Sequence, residues 1–200
     1  METIGIVLLP DEDTETLLRA LSQLALLDFG SSIMLDTGSA GPRPHLSLFH
    51  MQVEADRLQA VYDAVDALPL PARISGHCYR RHLVGGNWLF LQAERTALVE
   101  IQMPVVEAVA PLRSGNVEIT WKMSEAQAAM HARYGYPNIG AAWDTHFTYG
   151  YVSDSSRVPQ ALRNGIDVAQ PWSARDIAVV RVGNHGTAGE ILHMRHPARL

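Results

Sequence analysis

Residues 44–48 read Pro44-His45-Leu46-Ser47-Leu48, and residues 145–149 read Thr145-His146-Phe147-Thr148-Tyr149. Each stretch carries the same phrase: His, apolar, hydroxyl, apolar. Successive side chains of a strand point to opposite faces. An imidazole and the hydroxyl two residues on therefore share one face, while the apolar partners turn to the other. The order of elements around each phrase also recurs. A strand is followed by helical spacing, a second strand, a glycine turn and a third strand. Forty residues separate His45 from Gly85, and forty separate His146 from Gly186. This spacing predicts a single domain over residues 1–200 with two pseudo-symmetric lobes, each contributing one His-x-Ser/Thr motif. Two copies are too few for a linear solenoid.

Outward from the motifs, residues 4–9 form an apolar run ended by Pro10, which predicts a buried strand. The acidic, cap-like residues 11–14 and leucines at 17, 18, 21, 24 and 27 predict a helix that stops at Gly30. Residues 38–44 read as a loop, and residues 55–68 as a second helix closed by Pro69. Residues 72–81 and 87–94 flank Val84-Gly85-Gly86 as a hairpin. Residues 98–112 predict a buried helix with Pro104 inside it, and Ser124 with Gln127 marks a capping box at the start of a short helix. After the second motif the expected order is a helix over 155–166, a strand over 174–182, a turn over 183–186 and a last strand over 190–194.

Two hundred residues that are 47% hydrophobic and 18% charged fit a soluble globular chain and exclude a disordered one. No stretch approaches the ~18 consecutive apolar residues of a spanning helix. The single cysteine, Cys78, excludes an internal disulfide and a multi-cysteine metal site. With no basic, signal-like start, the chain reads as a cytoplasmic protein and a monomer. A net charge of −5 argues against coating long nucleic acid, although a small phosphate ester in a local pocket remains compatible with it.

Two imidazoles and two hydroxyls around one small anion make a complete phosphoryl-transfer site. A neutral His takes a proton from water, and a protonated His returns one to the leaving oxygen. The hydroxyls donate to the non-bridging oxygens. The expected pH dependence is a bell near neutrality, and no metal or other cofactor is required.

With their spacing, His45-Leu46-Ser47-Leu48 and His146-Phe147-Thr148-Tyr149 resemble the paired motifs of the 2H phosphoesterase superfamily, which includes the bacterial RNA 2′,3′-cyclic phosphodiesterases historically called 2′-5′ RNA ligases. The resemblance spans nearly the whole chain. It implies a bilobal α+β fold, with two antiparallel sheets lining a central cleft and helices outside. It also implies metal-independent hydrolysis of cyclic phosphates or 2′-5′ phosphodiesters in an RNA end or a small nucleotide. By that resemblance His45 is the proton donor and His146 the acceptor, with Ser47 and Thr148 holding the phosphate. Ser47 stands where Thr is commoner, and Gly150 follows Tyr149 where an Arg is often found. Tyr149, Tyr136 and Arg80 are candidates for lining the substrate. The aromatic stretch 134–138 with Trp143 is a candidate surface for stacking a base. Alternative functions are a non-catalytic nucleotide- or RNA-binding module of the same fold, and RNA ligation as the reverse reaction.

Overall fold

Strand β1 (Glu2–Pro10) is buried on both faces, with Ile4, Ile6 and Leu8 in the main core and Val7 and Leu9 in a smaller cluster on the other side. In the computed structural model, which describes residues 1–36, 41–71 and 73–196, this strand lies at the centre of the architecture. Helix α1 (Glu12–Phe29) follows at once. The Asp11 carboxylate accepts the Thr14 N–H at 3.0 Å, and Gly30, at φ 68°, ends the helix in the left-handed conformation that lacks a Cβ penalty. The remaining elements are β2 (Leu46–Val53), α2 (Leu58–Asp66), β3 (Ile74–Val84), β4 (Trp88–Ala93), α3 (Thr96–Val109), α4 (Glu125–Tyr134), β5 (His146–Tyr151), α5 (Gln160–Asn164), β6 (Ile166–Val182) and β7 (Ala188–Arg195). The capping box is present at the start of α4, where Ser124 and Gln127 each bond the other's backbone N–H. Part of the loop expected over 38–44 lies outside the described residues.

The strands form one antiparallel sheet in the order β1-β2-β5-β4-β3-β6-β7, with a further pairing of β1 to β6. The two sheets expected from the sequence are the two arms of this continuous sheet. One arm runs β2-β1-β6-β7, the other β5-β4-β3-β6, and the long β6 passes from one to the other. Its first half pairs with β3 and its second half with β1. At their opposite ends the arms meet through a single bridge, Leu46 to Phe147. Each arm mixes both halves of the sequence: β2 lies with the β6–β7 hairpin, and β5 with the β3–β4 hairpin. Helices α1 and α3 pack against the face that carries Leu46, Leu48, Leu91 and Phe147. Among the described residues, no helix is long and apolar enough to cross a membrane.

The helix expected over 155–166 is much shorter. A single 3₁₀ turn occupies Ser155–Arg157, and α5 spans five residues between Pro159 and Gly165. Strand β6 takes the remainder and begins at Ile166, well before the expected residue 174. Pro171 would argue against a central strand, since it lacks an N–H. Here it lies in the stretch of β6 that is paired only to β3, where an edge tolerates proline.

Candidate active site

Both motif strands sit at the meeting point of the arms. An antiparallel bridge at Leu46 and Phe147 directs Ser47 toward His146 and His45 toward Thr148 on the opposite face from those two apolar residues. His45 and His146 are thus diagonal cross-strand neighbours, a relation that places such residues about 7–8 Å apart. A phosphate between two rings at that separation is within reach of both.

The two histidines are held in the same way. His45 Nδ1 donates to the Arg43 carbonyl at 2.8 Å, and His146 Nδ1 donates to the Asp144 carbonyl at 2.7 Å. A carbonyl only accepts, so each neutral ring carries its proton on Nδ1 and presents the Nε2 lone pair. The carbonyls themselves are anchored. Arg43 is bridged to Ala188 of β7 through its N–H, at 2.9 Å. Gln92 donates its amide to the Asp144 carboxylate and to the Thr145 carbonyl. The His146 ring also stacks on Phe90, with centroids 3.6 Å apart and planes 11° from parallel. The backbone of Gly186, in the β6–β7 turn, is near enough to the His45 ring to favour its protonated form.

A third histidine joins them. His50 is 8% exposed, and its Nε2 lies 3.1 Å from Ser47 Oγ. Simple alternation from Ser47 puts residue 50 on the core face, which is why sequence reasoning missed it. The strand is not regular, however. Val7 pairs with Ser47 and Ile6 with Phe49, so Leu48 is a bulge that flips the parity beyond it. Strand β5 bulges at the corresponding residue: Phe90 pairs with Thr148 and Leu89 with Gly150, leaving Tyr149 unpaired. The bulge re-aims Tyr151, whose ring stacks on His185 at 4.1 Å beside Trp88. The only legible trace of this was the identical offset of His50 and Tyr151 from the two motif histidines.

Burial governs the charge of these rings. It pushes His45 below the ordinary histidine value, with the carbonyls of Arg43 and Gly186 opposing the change. His50 is pushed down to about 3, first by burial and then by His45 and His146. His146 is pushed down to about 4 by burial, against the pull of the Asp144 carboxylate, which lies 4.0 Å from Nδ1. The unfolded chain therefore takes up protons at these groups before the folded one does, and stability falls as pH drops from about 6.5 through these values. The melting temperature is expected to decline over that window, and inorganic phosphate to restore it by pairing with the imidazoliums. His50→Phe should flatten the decline; an unchanged pH slope in that variant would count against the assignment.

Of the three expected substrate-lining residues, Tyr149 and Tyr136 are buried, while Arg80 stands in one cross-strand row with Gln92 and His146. Tyr149 is 2% exposed in the main core, because strand alternation places it opposite Thr148 on the face shared with Phe147, and burial raises its hydroxyl pKa despite the nearby Arg81 charge. Tyr136 is buried behind His50, its ring stacked on that imidazole at 5.0 Å and its pKa pushed up to about 12. Trp143 is likewise in the core, which leaves Tyr134, half-buried under the Arg133 guanidinium, as the accessible aromatic of that stretch. Arg80 shares a strand face with His82 but donates through Nη2 to the Asn164 carbonyl at 2.5 Å, at the end of α5. Cys78 is fully buried, with its thiol pushed up to about 12. Among the described residues, no group of three or more His, Cys, Asp or Glu side chains is arranged to hold a metal ion.

An α+β chain whose antiparallel sheet joins a His-x-Ser strand to a His-x-Thr strand at its middle has the fold of LigT and its structural relatives. Among solved structures, the chain is similar to the protein TT0787 of Thermus thermophilus, at 12% identity and TM-score 0.62, over 98% of this chain and 97% of that one. It is also similar to Escherichia coli LigT complexed with NADP+, at 9% identity and TM-score 0.55, over 99% of each chain. A third structure, described as a phosphoesterase, aligns over 100% of both chains at 11% identity and TM-score 0.50. LigT and the phosphoesterase are members of the 2H phosphoesterase superfamily. At these identities the likeness is one of fold. No family model and no curated protein matches the sequence.

Proposed function

We propose that the chain is a 2H phosphoesterase that hydrolyses 2′,3′-cyclic phosphates or 2′-5′ phosphodiesters of small nucleotides or RNA ends, by two-histidine acid–base catalysis. The observation that carries this reading is the matched tethering of His45 and His146. Each is bonded through Nδ1 to the carbonyl two residues before it, and each is paired with a hydroxyl across one bridge. In the resulting reaction, His146 Nε2 accepts a proton from water as the water oxygen attacks phosphorus. The bond from phosphorus to one ribose oxygen breaks, and His45, protonated, gives its Nε2 proton to that oxygen. Ser47 and Thr148 donate to the non-bridging oxygens, where charge resides in the transition state.

Burial drives both rings toward neutrality, so the anion must bring the second proton with it or hold it there. The negative charge of the chain, and the engagement of Arg80 at α5, favour a small nucleotide or a single RNA end over an extended strand. LigT, which shares the fold, has been solved with the nucleotides NADP+ and ATP. The test is a panel of 2′,3′-cyclic nucleotides in excess EDTA, with the products resolved as 2′- or 3′-phosphates. Turnover unaffected by EDTA is the expected result. Binding without turnover across the panel would instead identify a non-catalytic nucleotide-binding module, and loss of activity in EDTA would require a metal.

A further inference from the structure

His50 has no part in the two-proton exchange, yet its ring is held on several sides. It stacks on Tyr136, which Phe49 braces edge-on at 5.8 Å. Directly across the strand pair stands Gly5, where a Cβ would lie 3.2 Å from His50 Cδ2 and 3.3 Å from Nε2. Strand β1 thus has no side chain where the imidazole lies. What this arrangement aims the ring at is one atom, Ser47 Oγ, 3.1 Å from Nε2.

A serine hydroxyl has a single proton. If Ser47 donates that proton to His50, none is left for a ligand. If Nε2–H donates to Oγ, the hydroxyl proton is free to face the cleft. Thr148 has no comparable neighbour among the described residues, but its branched Cβ restricts χ1 by itself. Ser47 lacks that methyl and needs an external constraint to reach the same order.

We propose that His50 is a positioning residue, an Nε2–H tautomer that donates to Ser47 Oγ and directs the serine proton toward a phosphoryl oxygen in the cleft. The proposal rests on the phosphoesterase reading for the anion that takes the serine proton, and on the 3.1 Å contact for the pairing of Nε2 with Oγ. His50 sets the direction of the Ser47 proton as well as the place of Oγ, whereas the γ-methyl of Thr148 restricts only the place of Oγ.

Nitrogen NMR of protein labelled with 15N-histidine, assigned with single His variants, tests the tautomer without any ligand. His50 should carry its proton on Nε2, and His45 and His146 on Nδ1; a His50 protonated on Nδ1 would overturn the proposal. A second measurement is calorimetric binding of inorganic phosphate. His50→Phe should weaken it by about three- to tenfold, the scale of one lost neutral hydrogen bond. The same change in a Ser47→Ala background should cost nothing further, and His50→Gln, which keeps a donor near the same place, should recover most of the loss. Adding Ser47→Thr to His50→Phe should recover only the part of the loss that comes from placing Oγ. Equal losses in both backgrounds would reduce His50 to a packing residue. An intact protein that turns over no cyclic nucleotide, while tautomer and coupling hold, would remove the proposed reaction and leave His50 as the organiser of an anion site.

Discussion

His45→Ala and His146→Ala are each expected to lower the turnover of a 2′,3′-cyclic nucleotide by about two to four orders of magnitude, the contribution of one positioned acid or base. The double variant should be hardly worse than either single one. The two rings are diagonal neighbours across the Leu46–Phe147 bridge and act on the same phosphorus, so removing either proton carrier disables the exchange. Each ring also lowers the proton affinity of the cluster it belongs to: His45 acts on His146, and both act on His50. Their titrations therefore belong to the group and not to single residues. In the free protein, burial depresses these values, so the optimum of kcat/KM should lie on the acid side of the optimum of kcat. Bound phosphate, by holding protons in the cleft, should move the latter toward neutrality. Rates measured from pH 4 to 9 on the three variants check both statements. Additive losses would show that the histidines act separately, as binders of the substrate.

Ser47→Ala and Thr148→Ala should each reduce kcat by roughly 10- to 1,000-fold, the scale of removing one preorganised donor to a transition-state oxygen. The two losses should differ in kind. Thr148 sits opposite Phe90 and is partly exposed, so its removal deletes one donor and little else. Ser47 is also the partner of a buried ring, so its removal leaves His50 Nε2 without an acceptor and should cost some stability as well. Turnover and melting temperature measured together separate these effects. Full activity in both variants would mean that other atoms hold the phosphate, with the backbone around Gly186 the next place to look.

The elements that local chemistry specifies were legible from the residues alone. Asp11 and Gly30 bracket α1 because a carboxylate satisfies a free N–H and glycine accepts the left-handed conformation; Ser124 and Gln127 open α4 for the same kind of reason. The two motif strands, and their shared direction toward one face, follow from the period of a strand and from the repeated phrase. The α+β class and the resemblance to the 2H phosphoesterases rest on those same few residues. What the sequence could not reveal depends on pairing between distant strands. At Leu48 and Tyr149, β2 and β5 each carry one residue more than the facing strands β1 and β4 can pair, and each bulge reverses the alternation beyond it. They bring His50 into the cleft and turn Tyr151 toward His185, against the period on which the expectation was built, whereas Tyr149 keeps the core face that alternation gives it. Likewise, β6 extends through Pro171 to Ile166 because β3 offers it a partner on one side only. Local spacing records what each segment prefers; which face a side chain finally takes is set by the neighbour to which its strand is bonded.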